Sequence, residues 1–262
     1  RPVVRRGSRV ADGMYRDVHG VGLPCPILDW TGHAEAVVQF TVPAFEYPRS
    51  DAPATLHFAG PLSATGSHAP RPDWWPDLDG GRPIVHVTQG TIANKDFTQL
   101  VQPALEALAR DDVLVVVSTG GRPLDTLPPL PDNARAAEYL PYDELLPRTA
   151  VFVTNGGYGG VQYALRYGVP IVATGGKEDK PEVGGRVMWS GVGRRIRTDQ
   201  PSRRALRRAI HDVLHEPRFR DASRRIAADM ADAPGLDGLT AVIDDLAGDA
   251  VSDDDPRPAL AS

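Results

Sequence analysis

Ala150-Val151-Phe152-Val153-Thr154-Asn155-Gly156-Gly157-Tyr158-Gly159-Gly160-Val161-Gln162 is the stretch on which the fold turns. Its opening residues are apolar without alternation, the pattern of a strand covered on both faces. Four glycines follow within five residues, and a helical pattern then runs to about Tyr167, where Gly168 fits the C-cap. The same unit recurs outward in both directions. Upstream, the strand Pro83–Thr88 ends at Gln89-Gly90-Thr91. A helix over about 96–110 carries Phe97, Leu100, Val101, Leu105 and Leu108 at helical spacing. Val113–Val117 is a second strand, ending at Thr119-Gly120-Gly121; a short strand near Ala136–Leu140 and a helix around Asp143–Leu146 follow. Downstream, the strand Pro170–Thr174 ends at Gly175-Gly176, and a helix around 181–189 and a strand around 192–197 continue the alternation. Two helices, roughly 202–215 and 218–231, close it. Apolar strands alternating with helices predict an α/β fold, a doubly wound parallel sheet with right-handed crossovers. Its ligand belongs outside the carboxyl ends of the strands, where the glycine turns at 89–91, 119–121, 155–160 and 175–176 all fall.

Composition narrows the function. The chain has 262 residues, with Lys+Arg 29 against Asp+Glu 34 and a net charge of −5, which argues against nucleic acid as a partner. A hydrophobic fraction of 41% is enough for a core. The single cysteine, Cys25, excludes a disulfide framework or a zinc site built of cysteines. The apolar run Val113–Val117 is far short of the roughly 20 residues a membrane span needs, so no transmembrane segment is expected. With no signal peptide to read, the expectation is a soluble, cytoplasmic protein. Only Lys95, Lys177 and Lys180 are lysines among the 29 basic residues, a bias that suggests a GC-rich bacterial gene.

The glycine turn also carries chemistry. Glycines at the start of a helix let the backbone approach a ligand, and the N–H groups and partial positive charge there suit a phosphate. The turn matches neither the G-x-G-x-x-G dinucleotide fingerprint nor the P-loop. One strand later comes Gly175-Gly176-Lys177-Glu178-Asp179-Lys180-Pro181-Glu182. Its carboxylates suit sugar hydroxyls, and its lysines can offset phosphate charge. Asp77-Leu78-Asp79 has the spacing of a metal-binding D-x-D, but it lies in a linker with no sheet around it and reads as coincidence. Trp74 and Trp75 read as anchors of that linker, His57 and His86 as packed, hydrogen-bonded histidines, and the arginines between 203 and 225 as solvated helix faces.

Taken in order, these segments resemble the donor-binding half of a GT-B nucleotide-sugar glycosyltransferase. The similarity is to the bacterial macrolide-type (antibiotic and glycolipid) branch of the UDP-glycosyltransferase superfamily. The supporting pieces are His57–Leu62, Pro83–Thr91, Tyr139–Tyr142, Thr154–Gly157 and Glu178–Glu182. The resemblance implies that Gly90 and Thr91 border the donor diphosphate, that Tyr139 stacks on the nucleobase and that Leu140 meets the base edge through its backbone. It places Asn155 where many relatives have a phosphate-contacting histidine. The turn Gly156, Gly157, Tyr158, Gly159 and Gly160 then supplies backbone contacts to the phosphates. Glu178, Asp179 and Lys180 would lie at the donor sugar, with Asp179 and Lys180 matching an Asp-Gln pair of many relatives. Three departures stand out: Asn155 carries no charge, Gly160 replaces a hydroxyl residue, and Lys180 replaces the usual glutamine.

The resemblance divides the chain into a remnant of the N-terminal acceptor domain (1–62), an interdomain linker (63–82), the nucleotide-sugar domain (83–246) and a disordered tail (247–262). It implies transfer of a hexose from a UDP or dTDP sugar to a hydroxyl of a small-molecule or lipid acceptor. No cofactor and no metal are expected. No catalytic base is transferred, because His19 and His33 stand far from the family position. Two other readings remain open at this point: a non-catalytic nucleotide-sugar-binding remnant, and a nucleotide-sugar epimerase of the same fold.

Overall fold

The structure is a computed structural model and describes residues 2–26, 29–62 and 69–252. The chain opens with helix α1 (Pro2–His19), then a two-stranded parallel sheet of β1 (Val37–Gln39) and β2 (Leu56–Phe58). The main domain runs β3 (Ile84–Thr88), α2 (Val101–Leu108), β4 (Leu114–Ser118), β5 (Ala134–Ala137), α3 (Tyr142–Leu145), β6 (Thr149–Thr154), α4 (Tyr158–Arg166), β7 (Ile171–Thr174), α5 (Lys180–Trp189) and β8 (Gly193–Ile196). Three helices follow: α6 (Arg203–His215), α7 (Pro217–Ala231) and α8 (Gly235–Ser252).

The main sheet has the order β5-β4-β3-β6-β7-β8, all parallel. The chain begins in the middle, winds out to β5, then returns to pair β6 on the other side of β3. The topological switch point therefore lies between β3 and β6, the place where such sheets bind ligands.

Each face of the sheet is covered. On one, Val85, Val87, Val115, Val117, Val151 and Val153 pack under α2 and α6. On the other, Phe152, Ile171 and Ala173 pack under α4, α5 and α7, and Val42 and Phe45 from the N-terminal segment join them. A third cluster seats Trp75 and Leu78 on Ile84, Leu114, Val116 and Leu140. Trp74 donates its indole N–H to the Ala136 carbonyl at 3.0 Å, so the tryptophan pair does pin the linker to the sheet. Asp77 pairs with Arg135 at 2.5 Å and Asp79 with Arg148 at 2.7 Å; the D-x-D is a pair of surface clamps.

Several expectations shift. β5 ends at Ala137, so Tyr139 and Leu140 stand on the loop beyond it rather than in a strand. Helices α1 and α8 were not read from the sequence. α8 continues through 247–252, the first residues assigned to the tail; 253–262, with Asp253–Asp255 and Pro256, and linker positions 63–68 lie outside the described residues. His57 is exposed on β2. Arg220 is not a solvated residue: its guanidinium donates to the carbonyls of Thr149 (3.2 Å) and Ala150 (2.7 Å), which open β6. Burial and the neighbouring Arg224 charge lower its pKa. Among the described residues no helix is long and apolar enough to cross a membrane.

Candidate functional site

A pocket of about 320 Å³ opens at the switch point. Its walls come from the carboxyl ends of β3 (Thr88, Gly90, Thr91), β4 (Ser118, Gly120) and β6 (Phe152, Thr154, Asn155). The loop after β5 adds Glu138, Tyr139 and Leu140; Tyr142 and the α4 residues Gly157 (its N-cap), Gly159, Gly160 and Tyr163 complete it.

α4 opens into this space without a side-chain cap: Gly157 sits at the N-cap with φ −64° and ψ 131°, and has no oxygen to offer. The first-turn N–H groups have no intrahelical acceptor, and they stand at the positive end of the helix. A Cβ on Gly157 would find nothing closer than Asn155 Oδ1 at 3.9 Å, and one on Gly160 would meet the Phe152 ring at 3.7 Å. The glycines thus keep this wall low and leave backbone exposed to a ligand.

The other expected residues divide. Gly90, Thr91, Tyr139, Leu140, Asn155, Gly157, Gly159 and Gly160 line the pocket together. Gly156 does not; it holds the turn at φ 89°, with Thr174 O only 2.7 Å from where a Cβ would sit. Tyr158 turns its side chain away to the core, its hydroxyl donating to Glu46 at 2.7 Å. Asn155 uses its amide N–H on the Gln89 carbonyl at 2.7 Å, bridging the loops after β3 and β6. Tyr139 is 53% exposed at the rim, and Gly121, at φ 87°, lets its hydroxyl end pack close against the backbone.

Glu178, Asp179 and Lys180 stand outside the main pocket. Lys180, with a side chain only 11% exposed, borders a small adjoining cleft with Gln89, Asn155, Thr174 and Asp199. Its ammonium pairs with Glu178 at 2.7 Å, and Glu178 takes the left-handed backbone φ of 57° that side chains other than glycine rarely adopt. Asp179 is exposed at the start of α5 and caps nothing there. Asn155 borders both spaces, so the two are neighbours.

Residues 102–246 match the family described as Erythromycin biosynthesis protein CIII-like, C-terminal domain. The chain belongs to this family. It is 50% identical over 192 residues to 4'-demethylrebeccamycin synthase of Lentzea aerocolonigenes, a match that covers 73% of this chain and 45% of the relative. The glycotransferase of kitacinnamycin superposes at a TM-score of 0.73 with 22% identity, over 92% of this chain and 63% of that one. The glycosyltransferase VinC in complex with dTDP superposes at 0.66 with 26% identity, over 89% and 57%. The fold is that of GT-B glycosyltransferases, and the chain spans about half the length of the curated relatives it matches.

In this member of the CIII-like family Ser118, Tyr142 and Tyr163 line the pocket, polar residues not expected there from the sequence, and behind them His86 is the packed, hydrogen-bonded histidine that was expected. His86 Nδ1 lies 2.9 Å from the Val116 carbonyl, and Nε2 lies 2.9 Å from the Tyr142 hydroxyl. That hydroxyl in turn meets Ser118 Oγ at 2.9 Å. Full burial pushes the His86 pKa down to about 4, and burial raises that of Tyr142. Tyr163, one turn along α4 from Gly160, donates to Asp143 at 2.9 Å; burial and that carboxylate raise its pKa. The signal for Tyr163 was its i+3 spacing from Gly160. Ser118 carried a weaker one, as the last residue before the Thr119-Gly120-Gly121 turn.

Proposed function

We propose that this chain is the donor-binding half of a glycosyltransferase that moves a hexose from a UDP or dTDP sugar to a hydroxyl of a small-molecule or lipid acceptor. The observation that carries the reading is the uncapped α4 N-terminus facing a pocket at the switch point of the sheet. Backbone donors preorganised there favour the charge that collects on the leaving diphosphate, without reorganisation at the moment of reaction. In the transfer, the acceptor oxygen bonds to the anomeric carbon as the bond from that carbon to the diphosphate breaks. The diphosphate leaves with the electron pair, and a base takes the acceptor proton.

In this reading Tyr139, at the rim, serves the nucleobase, and Leu140 beside it the base edge. Gly157, Gly159 and Gly160 serve the phosphates. The cleft beside Lys180 and Glu178 serves the sugar, with Asp179 at its edge. The transferase and synthase names of the relatives favour transfer over epimerisation, and the dTDP complex of VinC supports a pyrimidine nucleotide. We read the protein as needing no cofactor and as working in the cytoplasm of a bacterium.

Calorimetry with UDP and dTDP, each with and without EDTA, tests the reading. Binding of at least one nucleotide, unchanged by the chelator, is expected, because backbone N–H groups rather than a cation meet the phosphates. Loss of binding in EDTA, restored by Mg²⁺ or Mn²⁺, would overturn the metal-free site; absence of binding in every condition would overturn the donor reading itself.

A further inference from the structure

The His86–Tyr142–Ser118 chain has a direction, and the direction fixes what the pocket floor can bind. His86 is fully buried, with a carbonyl and a phenol on its two ring nitrogens rather than a carboxylate. An imidazolium there would be a buried charge without a counter-ion, so the ring is neutral. A carbonyl oxygen only accepts, so the ring proton sits on Nδ1, facing Val116 O. Nε2 is then an acceptor, and the Tyr142 hydroxyl must donate to it. With that proton committed, the Tyr142 oxygen can only accept from Ser118, whose own proton is therefore turned inward. Ser118 Oγ is left with lone pairs and no proton for a ligand.

Two neighbouring hydroxyls, those of Thr88 and Tyr163, are oriented alike. Thr88 donates to the Ser118 carbonyl at 3.1 Å while accepting from the Gly90 N–H at 3.1 Å. Tyr163 donates to Asp143. One end of the pocket therefore offers donors, the α4 N–H groups, while Ser118, Thr88 and Tyr163 offer acceptors. A diphosphate, which only accepts, fits the first; the second needs a ligand group that donates.

We propose that Ser118 Oγ, held as an obligate acceptor by His86 and Tyr142, is a specificity-determining contact that takes a hydrogen bond from the nucleoside part of the donor, either a pentose hydroxyl or the pyrimidine imide N–H. This rests on the nucleotide-sugar reading. A buried site built to pair a ligand donor rejects analogues that lack it, because its own polar atom is left unpaired. Ser118 is the contacting residue; His86 and Tyr142 are positioning residues that act through it.

The test is a set of double-mutant cycles by calorimetry. UDP, 2′-deoxy-UDP, 3′-deoxy-UDP and N3-methyl-UDP are each titrated into the wild-type chain, Ser118→Ala and Tyr142→Phe. Ser118→Ala should weaken UDP about five- to tenfold. It should leave unchanged the affinity for the one analogue that lacks the paired donor, and which analogue that is separates hydroxyl from imide. Tyr142→Phe frees the Ser118 proton and should blunt the same discrimination. It carries the cycle should Ser118→Ala fold poorly. An unchanged UDP affinity in Ser118→Ala, or an equal loss for all four ligands, overturns the inference while leaving the nucleotide reading intact. If the folded wild-type chain binds none of the four, the nucleotide reading falls and this inference with it. Nitrogen-15 shifts of the His86 ring give an independent readout: a proton on Nδ1 is expected, and one on Nε2 alone would reverse the chain and sink the proposal.

Discussion

Two adjacent glycines do different work. Gly157 has an ordinary extended backbone and open space around its missing Cβ, so a side chain fits the fold but intrudes on the pocket where the proposed function puts the phosphates. Gly157→Val should therefore keep its melting temperature and lose nucleotide affinity roughly tenfold or more, about 1.4 kcal/mol. Gly156→Ala should do the opposite kind of damage, lowering stability, because φ 89° and the nearby Thr174 carbonyl leave no room for a Cβ. A Gly157→Val protein that is folded and binds normally would place the phosphates elsewhere. His86 sets a pH dependence of the whole fold. Its folded pKa, about 4, lies below the ordinary 6.5. The unfolded chain thus binds a proton that the folded one refuses. Its contribution is fully present above pH 6.5 and is lost progressively as pH falls toward 4, up to about 3 kcal/mol. Urea unfolding across pH 4–7 should show that slope, and His86→Gln should flatten it; parallel slopes in the two proteins would remove His86 as the cause.

Between elements, one cross-link ties the N-terminal segment to α4 and α5. Glu46, 8% exposed, accepts from Tyr158 on α4 and from Arg186 Nε on α5 at 2.5 Å, and Arg186 stacks 4.8 Å above the Tyr47 ring. Removing one partner leaves the other charge half-buried and unpaired, so Glu46→Ala should cost about 2 kcal/mol in chemical denaturation, and Glu46→Ala with Arg186→Met should recover part of it. Purely additive losses would mean the pair is not coupled. The strands of the main sheet were legible because runs such as Val113–Val117 have no other stable home than a two-sided parallel sheet. The turn at 156–160 was legible because glycine density has few uses at a helix start. α8 was not: Gly235 and Gly238 weaken its helical signal, and exposed Leu236 and Ile243 blur its apolar stripe. α1 was missed although Val10, Met14 and Val18 recur at helical spacing among its arginines; all three are exposed, so no burial accompanies the stripe. Ser118 and Tyr142 meet because β5 lies in register beside β4, Ala137 opposite Ser118, and α3 follows β5 at that edge. Such meetings depend on sheet order, which local pattern does not carry. The same holds for Asn155 and Tyr158, whose side chains bond to Gln89 and Glu46, both distant in sequence.

For the molecule as a whole, the pocket proposed for the donor is lined by residues between Thr88 and Tyr163, at the edge of the six-stranded sheet. Among the described residues, the N-terminal segment contributes helix α1, the β1–β2 sheet and the Glu46 cross-link, but no wall of that pocket. Donor binding should thus be a property of this chain as it stands. Transfer asks for more: an acceptor held against the anomeric carbon and a base for its proton, and no residue is assigned to either above. Binding energy realised only at the phosphates lowers the barrier to departure, yet proximity of the second reactant is worth several orders of magnitude in rate. The purified 262-residue chain, given a UDP or dTDP hexose and a panel of hydroxyl acceptors, should bind the nucleotide in calorimetry and at most hydrolyse the donor slowly. Product formation, followed by mass spectrometry, should stay at the level of a Gly157→Val control. Sustained transfer to any acceptor, well above that control, would show that the acceptor site and its base lie within these residues.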